Sequence, residues 1–151
     1  MKNAKNYQFK KFLIHQFDEV ESTNDLAISL AENKQIFANQ IIVANQQNKG
    51  RGRLNRNWDS PKGNLYFSLV LQPQIAIEKI SQISFVAICA LQMAVEKVFM
   101  QQKIYADIKN KWPNDLLIDQ KKVAGILLES KISNKICDFV ILGIGVNIES
   151  N

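Results

Sequence analysis

The stretch QNKGRGRLNRNW, Gln47 to Trp58, places two glycines and three arginines (Arg51, Arg53, Arg56) where no regular helix or strand would run. Glycines at alternate positions interrupt strand pairing and let backbone amides approach a ligand closely. The arginines bring always-charged guanidinium forks to the same spot. The stretch reads as an irregular loop suited to carboxylates and phosphates. Residue types alone also leave open a solvated basic loop or a nucleic-acid contact.

Working outward, QIIVANQ (Gln40 to Gln46) is a β-branched, buried-strand pattern that delivers the chain into this loop. Beyond Trp58, PKGN makes a turn and LYFSLVLQP a second strand ending at Pro73. Upstream, LIHQFDEV (Leu13 to Val20) alternates as a strand. ESTN follows with helix-capping residue types, and Leu26, Ala27, Leu30 and Ala31 share one face of the next helix. From Ala76 to Gln101 the chain has its longest helical pattern, with Ile80, Ile83, Ala87, Ala90, Ala94 and Val98 as the stripe covering a sheet. IYADIKNKW (Ile104 to Trp112) is a strand leading to Pro113. DLLIDQKKVAGILLES is a hairpin turning at Asp119-Gln120-Lys121, and Ile136 to Ile148 forms the last strand, broken by Gly143 and Gly145. Alternating strands with few helices imply an α+β fold, a mixed β-sheet backed by helices.

A chain of 151 residues builds one domain with its own core, and 46% hydrophobic against 22% charged residues is a globular composition. No run of about 18 uncharged apolar residues is present, so no transmembrane helix is expected. The basic N-terminus lacks a signal-peptide apolar stretch, and a cytoplasmic location follows. Cys89 and Cys137 lie in apolar runs and read as buried, reduced thiols. No Cys/His cluster has zinc-ligand spacing, and with His15 the single histidine, flanking the first strand, a Ser-His or Cys-His mechanism has little to work with. The net charge of +5 is spread along the chain without a nucleic-acid-binding motif; it would also attract nucleotides and acidic proteins.

Taken together, ESTN, GRGRLNRNW, KWPND, KKVAGILLE and GIGVN, in that order between Glu19 and Asn147, resemble the catalytic core of a biotin protein ligase. The resemblance implies a fold of the biotin/lipoyl protein ligase catalytic-domain type. It also implies a two-step reaction: biotin and ATP give biotinyl-5′-AMP and pyrophosphate, then a lysine of the biotin carboxyl carrier protein of a biotin-dependent carboxylase takes the biotinyl group. By motif position, Ser22, Thr23, Asn24, Gln47, Gly50, Arg51, Lys122, Gly125 and Leu127 would face biotin. Arg51, Gly52, Arg53, Arg56, Trp58, Lys111, Asn114 and Asn147 would face ATP or the adenylate. Arg51, Arg53 and Lys122 would be catalytic, and Asp115 would lie near the magnesium that accompanies the nucleotide. Strand alternation puts Lys121 and Lys122 on opposite faces, so one of them points into the site.

Biotin, ATP and Mg2+ are thus the implied small molecules and the carrier protein the implied partner, with a homodimer left open and no nucleic acid or membrane expected. Asn55 stands where the family often has glycine, and it tolerates a left-handed backbone. The chain reads as a single catalytic domain, residues 1 to 151, without the last part of the family core, the small C-terminal β-barrel or an N-terminal DNA-binding domain. Apolar sheet surface left uncovered would then promote self-association. The alternative is a partial relative that binds biotin or biotinyl-5′-AMP without completing transfer. A lipoate or octanoate transferase shares the general fold, but its acyl chain would want an apolar slot where ESTN is polar. A basic RNA-binding domain rests on net charge alone.

Overall fold

The structure, a computed structural model, describes residues 4–149. Its strands are β1 (Lys5–Phe9), β2 (Phe12–Val20), β3 (Gln40–Gln47), β4 (Leu65–Leu71), β5 (Ile108–Lys111), β6 (Asp115–Ile118), β7 (Lys121–Ser133) and β8 (Ile136–Val146). They form one sheet in the order β1-β2-β3-β4-β8-β7-β6-β5. Only the β2–β3 pair is parallel, joined by a crossover through helix α1 (Thr23–Glu32); the other pairings are antiparallel. The second helix, α2 (Gln82–Gln101), connects β4 to β5. This mixed sheet with two helices is the α+β arrangement that the alternating patterns imply.

The helices take opposite faces because neighbouring residues on a strand point opposite ways. On β8, Ile141 joins Ala27, Leu30, Ile42 and Val70 under α1, whereas Leu142 joins Ala87, Ile88, Leu116, Ala124 and Ile126 under α2. The glycines of β8 and Gly125 of β7 fall on the α1 face, Gly143 under Asn24 in the first turn of α1 and Gly125 and Gly145 beyond the helix under Trp58. No helix covers the sheet there, and the cleft described below occupies that place.

Several expectations need correction. β1 was not foreseen; it joins β2 through a turn in which Lys10 takes φ 51°, and the polar KNYQF run carries little strand signal by itself. The strand expected from Ile104 shrinks to Ile108–Lys111, and Ile104 and Tyr105 are exposed. Helix α2 begins at Gln82 after a separate 3-10 turn, Ile77–Lys79. Its buried stripe runs through Ile83, Ala87, Ile88, Leu91 and Val95, which leaves Ala90, Ala94 and Val98 outward. Cys89 is exposed rather than buried, and Cys137 is half-buried. An 18-residue window within Ile77–Gln101, at a mean hydropathy of 1.7, is apolar enough to cross a bilayer by length and composition alone, contrary to the expectation of none. One side of it packs on the sheet.

Candidate active site

The cleft lies between the N-terminus of α1, the arginine loop and the glycine-marked ends of β7 and β8, with a volume of about 460 Å³. Its neutral end is built at the start of α1. Ser22 caps the helix, its Oγ accepting from the Asp25 amide at 3.3 Å. The buried Thr23 donates through its amide and hydroxyl to Gln47 Oε1, at 2.8 and 3.1 Å. Gln47 Nε2 in turn donates to Ser60 Oγ at 2.9 Å, and Ser60 donates to the Trp58 carbonyl at 2.9 Å. Buried Ser68 lies 2.8 Å from Thr23 Oγ1 and 2.5 Å from Asn24 Oδ1. Each of these polar side chains thus has a hydrogen-bond partner, a backbone amide for Ser22 and other side chains for the rest, which is what burial of such groups requires.

The arginine loop is shaped by its own backbone. Gly52 N–H donates to Arg56 O at 2.7 Å and Trp58 N–H to Gly50 O at 2.9 Å, closing the loop at its base. Leu54 and Asn55 at the tip both take left-handed conformations, φ 54° and 56°. Asn55 therefore occupies the conformation its residue type tolerates, while the 84% exposed Leu54 adopts one that a side chain of its size disfavours. Gly50 does not line the cleft: a Cβ there would lie 2.3 Å from the Trp58 carbonyl, so this glycine serves close packing at the loop base.

The three arginines divide by charge environment. Arg51 is committed: its Nη2 donates to both Glu129 oxygens at 3.0 and 2.9 Å and to Asp25 Oδ1, and its Nε to Asp25 Oδ2 at 3.2 Å. Partial burial works against the charge, but hydrogen bonds and the fields of the two carboxylates outweigh it and raise the Arg51 pKa above its ordinary value. Among the described residues Arg53 meets a neutral partner, Asn114 Oδ1 at 3.1 Å, and no carboxylate. Asn114 Nδ2 donates to Ile126 O at 2.7 Å, which fixes the side chain that steers Arg53. Arg56 and Lys111 have no carboxylate partner among the described residues.

Lys122 enters the cleft because of a β-bulge. Gly125 pairs with Asp115 and Ala124 with Leu116, but Leu117 pairs with Lys122, so Val123 is the extra residue. Strict alternation from Gly125 would send Lys121 inward; the bulge brings in Lys122 instead, a re-aiming such irregularities produce. Lys122 Nζ lies 2.8 Å from Asp115 Oδ1 and 5.0 Å from the centre of the Trp58 ring. The indole lies across the bare backbone of both strands, where a Cβ on Gly145 would be 2.6 Å from Trp58 Nε1 and one on Gly125 3.1 Å from Cζ3. The room at Gly125 is thus taken by Trp58, whose buried Nε1 has no hydrogen-bond partner among the described residues.

Of the residues singled out from the sequence, Ser22, Thr23, Asn24, Gln47, Arg51, Gly52, Arg53, Arg56, Trp58, Lys111, Asn114, Asp115, Lys122, Gly125 and Leu127 line this one cleft. Gly50 and Asn147 do not; the Asn147 amide donates to the carbonyl of the bulged Val123 at 2.7 Å. Asp25, Ser60, Ser68 and Glu129 were missed. Ser68 left a trace as a lone polar residue in the apolar LYFSLVL strand, and Glu129 as a carboxylate closing the apolar VAGILL run. No group of three or more His, Cys, Asp or Glu able to hold a metal exists among the described residues.

The biotin/lipoate A/B protein ligase family model matches residues 17–147. The chain belongs to this family. It is 39% identical over 137 residues to the bifunctional ligase/repressor BirA of Bacillus spizizenii, covering 90% of this chain and 40% of that protein. The biotin--[acetyl-CoA-carboxylase] ligase of Paracoccus denitrificans is 41% identical over 128 residues, 85% of this chain and 51% of that protein. The chain thus spans about half or less of these relatives. The Aquifex aeolicus biotin protein ligase in complex with biotin and ATP superposes with a TM-score of 0.73 at 35% identity, over 95% of this chain and 55% of that one. Within the family the chain resembles the biotin protein ligase catalytic core, and the mixed sheet is the fold of those ligases.

Proposed function

We propose that this chain carries the catalytic core for ATP-dependent attachment of biotin to a lysine of a biotin carboxyl carrier protein, through biotinyl-5′-AMP. One observation carries the reading. A pocket of neutral polar groups (Ser22, Thr23, Asn24, Gln47), each held by hydrogen bonds within the fold, opens onto a cationic end formed by Arg53, Arg56, Lys111 and Lys122. The ureido ring of biotin needs short polar partners for its edges. Its carboxylate and the triphosphate need positive charge, because the first step drives two anions together.

In this reading the biotin carboxylate attacks the α-phosphorus and pyrophosphate leaves. The carrier lysine then attacks the acyl carbon and AMP leaves. Arg53, steered by Asn114, and Arg56 neutralise the phosphates, while the Gly52 amide, already donating to Arg56 O, keeps the loop in shape rather than meeting phosphate. Lys122, held by Asp115 and Trp58, stands over the reacting carboxylate, and Arg51 fixes the loop that brings these groups together. Magnesium would neutralise phosphate charge, arriving with the nucleotide and drawing most of its ligands from phosphate and water. Asp115, already paired with Lys122, is the carboxylate among the described lining residues of the cleft that would meet it.

The test is biotin-dependent exchange of labelled pyrophosphate into ATP, run beside labelled-biotin transfer to a carrier domain. Exchange with transfer supports the full reading. Exchange without transfer supports a partial relative that makes or holds the adenylate, and turnover with lipoate in place of biotin would overturn the substrate assignment.

A further inference from the structure

Glu129 is the carboxylate in the apolar VAGILLE run of β7, and it is half-buried on the face that carries Gly125 and Leu127. A carboxylate in such a place is costly unless paired. Its pairing spans two parts of the cleft. Oε2 accepts from Asn24 Nδ2 at 2.8 Å, and both oxygens accept from Arg51 Nη2. The first bond turns the Asn24 amide so that its Oδ1 faces Ser68, in a space where a Cβ on Gly143 would lie 2.2 Å away. The second ties the start of the arginine loop to the sheet, while Gln47 and Ser60 tie down its end.

We propose that Glu129 is a positioning residue: it holds the Asn24 amide and the Arg51 guanidinium in one arrangement, so that the neutral pocket and the arginine loop are assembled before a ligand arrives. The proposal rests on the ligation reading for its kinetic consequence but not for its structural one. A glutamine at 129 keeps the shape but has only one acceptor oxygen, and its amide would oppose the N–H groups of Asn24 or Arg51. Half-exposed ion pairs add little to global stability. The consequence is therefore local order rather than folding.

The experiment compares wild type, Glu129→Gln and Glu129→Asp by two readouts. In the ligand-free protein, trypsin cleavage after Arg53 is expected to accelerate several-fold in Glu129→Gln, with an unchanged thermal transition. In pyrophosphate exchange, the KM for biotin is expected to rise about tenfold, the loss of a charge-assisted bond, with kcat little changed. Glu129→Asp keeps the charge and is expected to recover part of both. Unchanged cleavage in Glu129→Gln would overturn the proposal, as would a fall in thermal stability matching any acceleration. Should wild type show no biotin-dependent exchange, the ligation reading fails while the trypsin comparison still decides the role of Glu129.

Discussion

At the scale of single residues, the cleft separates charges that are spent from charges that are available. Arg51 is surrounded by Asp25 and Glu129, so its contribution is to hold the loop in place. Arg53 is exposed and, among the described residues, donates to the neutral Asn114 and to no carboxylate, which suits its charge to an anion. Replacing Arg53 by alanine is therefore expected to leave the fold intact and to slow adenylate formation about a hundredfold, the scale of losing one preorganised cationic donor. Pyrophosphate exchange measures the rate and circular dichroism the fold. An unaltered exchange rate would overturn the proposed phosphate role of Arg53.

At the scale of elements, helix α1 does two jobs with one terminus. Its Ser22 cap and first-turn Asp25 stabilise the helix start, and the same turn presents Thr23 and Asn24 to the cleft. Ser22→Ala should lose about 1 kcal/mol and lower the melting temperature by about 3 °C. Thermal denaturation followed by circular dichroism measures it, and an unchanged midpoint would mean that the cap bond contributes nothing. The β6–β7 hairpin shows the same economy. Asp119 and Gln120 both adopt positive φ in its two-residue turn, and the bulge that follows decides which lysine reaches the cleft.

At the scale of the whole molecule, α2 covers the sheet with one side and leaves an apolar side open. Val86, Met93 and Met100 are about 70% exposed or more, and Trp112 stacks on the exposed Phe85 nearby. Exposed apolar residues also lie on the strands, as expected, among them Phe9 of β1 and Ile136 of β8, and the helix adds a second such surface. Such a patch favours association that strengthens with concentration and with sulfate. Sedimentation should show this for wild type and a marked reduction for Met93→Glu, whose outward side chain faces neither the core nor the cleft. Monomeric behaviour of wild type at all concentrations would exclude a role for this face.

The separated motifs, the hydrophobic alternation of β2, β3, β4 and β8 and the capping residues before α1 were legible in the sequence, because each depends on near neighbours. They determined the fold class and most of the residues that line the cleft. Three features were decided only by tertiary structure. The β7 bulge, not alternation, chose Lys122 over Lys121, since register depends on the partner strand. The commitment of Arg51 to Asp25 and Glu129 joins residues up to 78 positions apart, beyond any local pattern. The glycines at 125 and 145 receive the Trp58 ring, because what fills the space beside a glycine is set by the chain folded against it.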